Sequence, residues 1–400
     1  MTPAYAPVRG ARVRGVRARA RARARAGRRA RRLLVRGVLL VAIAALPVAF
    51  SAWIDPARLV APRTAEREIA RVLASGTAVT DYANYDERAI EKHLAPLRRV
   101  RPQVLVLGSS RMQMLRGCGD PRVRECGAGF VNVAVSGAVL DDVLGTYGLY
   151  DTADRRPRRV LLGIDPWMES ESGDGWRALA AERATVMRRA GIPSSPRRDL
   201  LAAWSRAVRR LATPEYFRLS MYSLLRHGPG GIQWRATDRE QNAEKTKLPD
   251  GSVVWHRRSE EQIRRAIAWF ASSELPRDAR FHDLGRRAPG RDGALERFVR
   301  HLRSEGVDVT VVLVPFAAEV YDASRRMSGD SLAAVERDLR AMSARAGAQV
   351  VGSYDPRAAG VTMRDLLDGD HLRPEALARM LAVRGPGSGV RPSARDEGLP

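Results

Sequence analysis

Five short runs of aliphatic and β-branched residues punctuate the chain, each bounded by turn-forming residues. They fall at 103–107 (QVLVL), 130–135 (FVNVAV), 159–164 (RVLLGI), 307–314 (VDVTVVLV) and 349–353 (QVVGS). Runs this short and this apolar suit strands buried on both faces, as parallel strands are. The stretches between them, including 140–150 and 331–346, carry helical periodicity. That alternation predicts an α/β domain, a doubly wound parallel sheet of about five strands, whose chemistry collects where the strands end. Roughly 140 residues separate the third run from the fourth, far more than a crossover needs. Within them, 176–191, 198–212 and 259–273 read as arginine-rich helices, so 171–304 is expected to be a helical insert.

A different pattern governs the N-terminus. Residues 37–53, GVLLVAIAALPVAFSAW, carry no charge. As a helix they rise about 26 Å, and residues 33–35 extend them toward the ~30 Å of a hydrocarbon core. Thirteen arginines and no acidic residue precede Asp55. Such a bias should hold the N-terminus inside and leave the body outside the membrane. The expected organisation is a basic disordered cytoplasmic arm (1–32), a transmembrane signal anchor (33–53) and a membrane-proximal linker with helices (54–95). A sheet domain in two parts (96–170 and 305–382) then encloses the insert, and a disordered tail follows (383–400). A cleaved signal peptide competes with the anchor, because Ala49-Phe50-Ser51 makes a small-x-small site.

Net charge is +24, which would suggest a nucleic-acid partner until the charge is located. Over half of the excess sits in the first 36 residues, where the adjacent span makes anionic lipid the nearer partner. Only three of the 69 basic residues are lysine, a ratio that suits coding bias better than binding, so no nucleic-acid partner is expected. Two cysteines exclude a disulfide scaffold and a cysteine-ligated zinc cluster. In an exported body Cys118 and Cys126 should pair, closing a short loop worth roughly 2–3 kcal/mol. The six histidines lack metal spacing, and Gly145-Thr146-Tyr147-Gly148 is not followed by the Gly-Lys-Ser/Thr of a phosphate loop. Neither a metal nor a cofactor is expected.

The candidate chemistry lies at strand ends. The first run leads directly into Gly108-Ser109-Ser110-Arg111, a turn that would expose a serine hydroxyl beside helix N-terminal amides. Near the other end stands Asp368-Gly369-Asp370-His371. The Asp-x-x-His spacing lets Asp368 turn back onto the imidazole, orient it and stabilise the imidazolium. Asp370 is the alternative partner, disfavoured because an adjacent residue points poorly. Arg111 is a candidate contact for a substrate carboxylate or phosphate, against a plain salt bridge. The tryptophans, Trp167 and Trp269 among them, are candidates for a sugar groove or for core packing.

Together these residues resemble the SGNH (GDSL-like) hydrolase superfamily. The resemblance implies Ser110 as nucleophile, with His371 and Asp368 completing a triad. Asn132-Val133-Ala134-Val135-Ser136-Gly137 looks like the block whose glycine, here Gly137, supplies an oxyanion amide. Gly163-Ile164-Asp165-Pro166-Trp167 stands where the family has Gly-x-Asn-Asp. Asp165 replaces the asparagine, and a carboxylate donates only when protonated. Asp165 therefore either stays neutral or pairs with Arg111, which leaves the Gly137 and Ser110 amides to hold an oxyanion.

More narrowly, the chain is similar to the membrane-anchored proteins of bacterial alginate O-acetylation and teichoic-acid D-alanine transfer. That likeness rests on Gly108-Ser109-Ser110, Asp165-Pro166-Trp167 and Ile54-Asp55-Pro56. It implies a single-pass protein of the bacterial cytoplasmic membrane that acylates or deacylates an envelope or secreted polysaccharide. A multi-spanning membrane O-acyltransferase is an implied partner, and Trp167 a substrate contact. The alternative is an inactive glycan-binding or scaffold protein.

Overall fold

The structure is a computed structural model; it describes residues 9–56, 59, 64–81, 85–99, 101–117, 129–169, 175–228, 234–282, 284 and 293–382. Cys118, Cys126 and the tail 383–400 lie outside the described residues, as do residues 1–8.

Nine strands occur among the described residues: β1 (Ala78–Thr80), β2 (Val104–Leu107), β3 (Phe130–Asn132), β4 (Arg159–Gly163), β5 (Arg235–Thr237), β6 (Thr246–Lys247), β7 (Val253–Val254), β8 (Asp308–Leu313) and β9 (Gln349–Gly352). The five apolar runs supply one parallel sheet in the order β3-β2-β4-β8-β9. β2 is buried along its whole length and β8 at every position after Asp308, as near-continuous Val/Leu runs require. Leu107 pairs with Leu162, Gly163 with Val312, and Leu313 with Gly352. The register therefore brings the carboxyl ends of β2, β4, β8 and β9 to one edge.

A second sheet is antiparallel, in the order β5-β1-β6-β7. It draws a strand from 54–95, the region read as a membrane-proximal linker with helices. β1, flanked by the helices Ala65–Ala74 and Glu87–Leu94, is paired on both sides by strands of the insert. The turn between β6 and β7 also docks on the large sheet, where the Asn132 amide donates to the Asp250 carbonyl at 2.8 Å. Gly251 permits this approach, since a Cβ there would stand 1.9 Å from the Asn132 carbonyl oxygen. The insert is thus not purely helical, and it is bound into the domain.

The N-terminal helix runs from Arg9 to Ile54. It includes most of the arm expected to be disordered, because arginine and alanine are both strong helix formers. Its segment Arg31–Ile54 is long and apolar enough to cross a membrane, and only its last turns, where Ser51 and Ile54 are buried, pack on the body. The helix stops at Asp55, whose φ of +41° turns the chain.

Candidate active site

Glycine shapes the turn that carries Ser110. Gly108 has φ +139°, and a Cβ on it would stand 2.9 Å from the Gly163 carbonyl oxygen and from Met112 Cγ. A Cβ on Gly163 would stand 2.1 Å from Met112 Cγ. The two glycines let the ends of β2 and β4 close around Met112 as the chain turns into the short helix Ser110–Gln113. Ser109 caps that helix, its hydroxyl accepting from the Arg111 amide at 3.3 Å.

Side chains hold the far end of this turn. Asn132 donates to the carbonyls of Met112 at 2.9 Å and Leu115 at 3.0 Å, and accepts from the Ala134 amide at 3.0 Å. Gln113 donates to Glu87 Oε1 at 2.9 Å. The same carboxylate accepts the Ser136 amide beside Gly137. Burial pushes the Glu87 carboxyl up, but Lys247, the Ser136 amide and Arg88 outweigh it and hold the group ionised below its ordinary range. One buried carboxylate therefore braces both the serine turn and the glycine turn.

The histidine sits on a loop closed by the Leu366–Leu372 bridge. Asp368 Oδ1 accepts the amides of His371 at 3.0 Å and Asp370 at 3.2 Å, and stands 2.9 Å from His371 Nδ1. His371 Nε2 lies 2.9 Å from Ser110 Oγ. In the neutral ring the carboxylate at Nδ1 would keep the proton on that nitrogen and leave Nε2 to accept from the serine hydroxyl, whereas in the imidazolium both nitrogens donate. The indole of Trp255 lies against the imidazole with ring centroids 4.7 Å apart, and Lys245 Nζ stands 3.9 Å from the centroid of the same indole.

Asp370 does reach the imidazole, contrary to the expectation drawn from its adjacency. Its Oδ1 lies 3.0 Å from Nδ1, because the turn capped by Asp368 folds residue 370 back over the ring. Burial alone would lower the His371 pKa, but Asp370 and Asp368 outweigh it and raise the group well above its ordinary value. Reciprocally, the imidazole outweighs burial and depresses Asp368. Asp368, Asp370 and His371 also have the donor types and spacing of a cation site. Their oxygens converge on one nitrogen, which suits a shared proton.

No protein-family model matches the chain, and neither does any curated protein or solved structure.

The remaining candidates divide. Ser110, Gly137, Asp368 and His371 border one pocket of about 490 Å³. Arg111 also lines that pocket, with its guanidinium engaged by protein groups. Its guanidinium is spent on Asp165 at 3.1 Å, on the Asp370 carbonyl at 3.0 Å and on the Val314 carbonyl, with Phe316 beneath it at 3.9 Å. It is 1% exposed and clamps the serine turn to the ends of β4 and β8 and to the histidine loop. Asp165 is correspondingly committed to Arg111, the second of the two roles open to it. Trp167 is buried, its ring packed on Phe281 at 5.3 Å and Phe316 at 6.3 Å, and it also borders the pocket.

Half of the residues lining the pocket belong to the insert. His256, Arg258 and Gln262 form one side, and Trp269 stands 58% exposed at the rim. Arg258 reaches Asp368 Oδ2 at 3.6 Å. Glu274 lies in the same wall; burial and then Asp370 and Asp278 raise its carboxyl. Sequence reasoning singled out neither Glu87 nor Arg258, and Trp255 only as one of the tryptophans open to a sugar groove or to core packing. A faint signal existed in Lys245-Thr246-Lys247, two of the three lysines in an arginine-dominated chain.

Proposed function

We propose that the protein is a membrane-anchored, extracytoplasmic serine acyltransferase or esterase of the SGNH type, acting on an O-acyl group of an envelope or secreted polysaccharide. The hydrogen-bonded run Ser110–His371–Asp368 carries this reading. Supporting it, the sheet order β3-β2-β4-β8-β9 is the 2-1-3-4-5 order of doubly wound sheets, which place their sites at the strands' carboxyl ends. The span Arg31–Ile54 and the arginines before it support the anchor and its orientation.

In this mechanism Ser110 Oγ attacks the acyl carbonyl while His371 Nε2 takes its proton. The C–O bond to the donor alcohol breaks and His371 returns the proton to that alcohol. A glycan hydroxyl or water then attacks the acyl-serine, gives its proton to His371 and releases Ser110, which recovers it. Gly137 and the Ser110 amide are assigned the oxyanion, since Asp165 is tied to Arg111.

Ser110→Ala and His371→Ala should each reduce acyl release or transfer by about 10⁴-fold or more while the protein stays folded. Undiminished turnover in a folded Ser110→Ala protein would eliminate the mechanism. The loss of Asp165 as a donor favours a second reading, an inactive glycan-binding scaffold. That reading requires resistance to fluorophosphonate labelling, so labelling that disappears in Ser110→Ala rejects it.

A further inference from the structure

We propose that the paired helices Pro196–Leu211 and Pro214–His227 lie in the headgroup region of the bilayer that Arg31–Ile54 crosses, and so dock the body on the membrane surface. This rests on the membrane-spanning reading of that segment.

Outside residues 33–53, exposed large apolar side chains among the described residues are almost confined to these two helices. The exceptions are Leu97 and Trp269. The first helix buries Ala203, Ala207 and Leu211, and exposes Leu201 (69%), Trp204 and Val208. Those three are spaced i, i+3, i+7, one stripe of the helix. The second buries Tyr216, Ser220 and Ser223, and exposes Leu219, Tyr222 and Leu225 (80%). Apolar surface concentrated on two adjacent helices is not the scattered exposure of a water-soluble face.

Position identifies the occupant. Phe217 packs on Phe50 with centroids 5.3 Å apart. Val48 and Ala52 of the span pack against Leu59, Ala207, Leu211 and Tyr216. At the end of the span Asp55 Oδ1 accepts the Leu59 amide at 2.6 Å and the Tyr216 hydroxyl at 2.8 Å. Phe50 precedes the helix end by four residues, about 6 Å of rise, and interfacial helices sink to about 5–10 Å. The pair is therefore fixed at the depth where a bilayer surface must lie. Its chemistry suits that place. Trp204 and Tyr222 are the residue types of membrane-interface belts. Arg198, Arg209, Arg210 and Arg218 are exposed beside the apolar stripes, where lipid phosphates would meet them.

The test uses the full chain with Cys118→Ser and Cys126→Ser, reconstituted in phosphatidylcholine–phosphatidylglycerol vesicles. Nitroxides are placed singly at Leu40, Leu201, Leu225 and, as an aqueous control, Arg300. Relaxation by oxygen is compared with relaxation by a water-soluble nickel chelate. Leu201 and Leu225 are expected to be oxygen-accessible and nickel-shielded, at shallower depth than Leu40. If they are as nickel-accessible as Arg300 while Leu40 reports lipid, docking is wrong and the span stands. Shielding from both agents means a protein partner or second copy covers the helices, and also overturns the proposal. A nickel-accessible Leu40 removes the span and the docking with it. Should the cysteine-free chain not fold, brominated-lipid quenching of the native-sequence chain is compared with Trp204→Phe. A smaller quenched amplitude in the variant supports docking, and an unchanged one overturns it.

Discussion

Asp165 Oδ1 lies 3.1 Å from a guanidinium nitrogen of Arg111, so the carboxylate after β4 neutralises the cation that follows the serine. Both groups are buried, and removing one strands the other. Asp165→Asn should lower the unfolding free energy by about 3–5 kcal/mol, read from denaturant melts. A fully stable and faster Asp165→Asn enzyme would instead mean that position 165 serves the oxyanion.

The two carboxylates at His371 Nδ1 should separate by substitution. Asp368 also caps the loop through two backbone amides, so Asp368→Asn should cost about 10⁴-fold in kcat by disturbing ring and tautomer. Asp370→Asn should stay within about tenfold at its own optimum, as expected for a group that tunes the base rather than orients it. Equal losses in the two variants would contradict this division.

The raised pKa of His371 has opposite consequences for rate and stability. The proposed mechanism needs the neutral ring, so the activity of the wild type should keep rising with pH beyond the range of an ordinary histidine. Asp370→Asn should move that rising limb to lower pH. Stability runs the other way: the contribution of the imidazolium is complete below about pH 6.5 and is lost as pH climbs through the folded-state pKa. Melts of wild type and Asp370→Asn should therefore differ most on the acid side of neutrality and converge in alkali.

On the proposed mechanism Trp255, packed on His371, would be a positioning residue. Truncating Trp255→Ala should lower kcat by about 2–10-fold, the scale of one aromatic pair, with little change in KM for a small ester. Trp255→Phe should restore most of it. A loss confined to KM would place the indole against substrate instead.

At the pocket rim, Trp269→Ala should spare turnover of a small activated ester while weakening action on a polymer. Deleting the insert cannot answer that question, because β5 and β6 are the partners of β1. Matched losses on small and polymeric substrates would place Trp269 in the catalytic machinery rather than in an acceptor groove.

The large sheet was legible because each of its strands is a short apolar run bounded by turn-forming residues, far shorter than the apolar stretch at 37–53. β3 as a strand covers Phe130–Asn132, yet the apolar run stays beside β2 as far as residue 135, where the amides of Val133 and Val135 donate to the carbonyls of Val106 and Gly108 at 3.0 Å, before the turn at Gly137. The small sheet was not legible: strands of two or three residues such as Thr246–Lys247 carry no periodicity. Ser110, Asp368 and His371 could be read because each has a local turn signature. The roles of Glu87 and of Trp255 beside His371 could not, since their partners lie far along the chain and pairing over such distances leaves no trace in spacing. Asp370 was misjudged on a generic rule of adjacency that one capped turn overrides.

The pairing of Thr80 with Lys245 joins positions 165 residues apart, and that of Ser110 with His371 positions 261 apart. At about 5–20 residues per second of synthesis, β1 waits roughly 8–33 s for its partners and Ser110 roughly 13–52 s for its base. The serine thus leaves the ribosome unactivated and acquires its base only after nearly all of the chain has followed it. A product cut short before residue 371 would carry Ser110, the apolar N-terminal helix and most of the pocket, yet on the proposed mechanism have no group at Ser110 to take its proton.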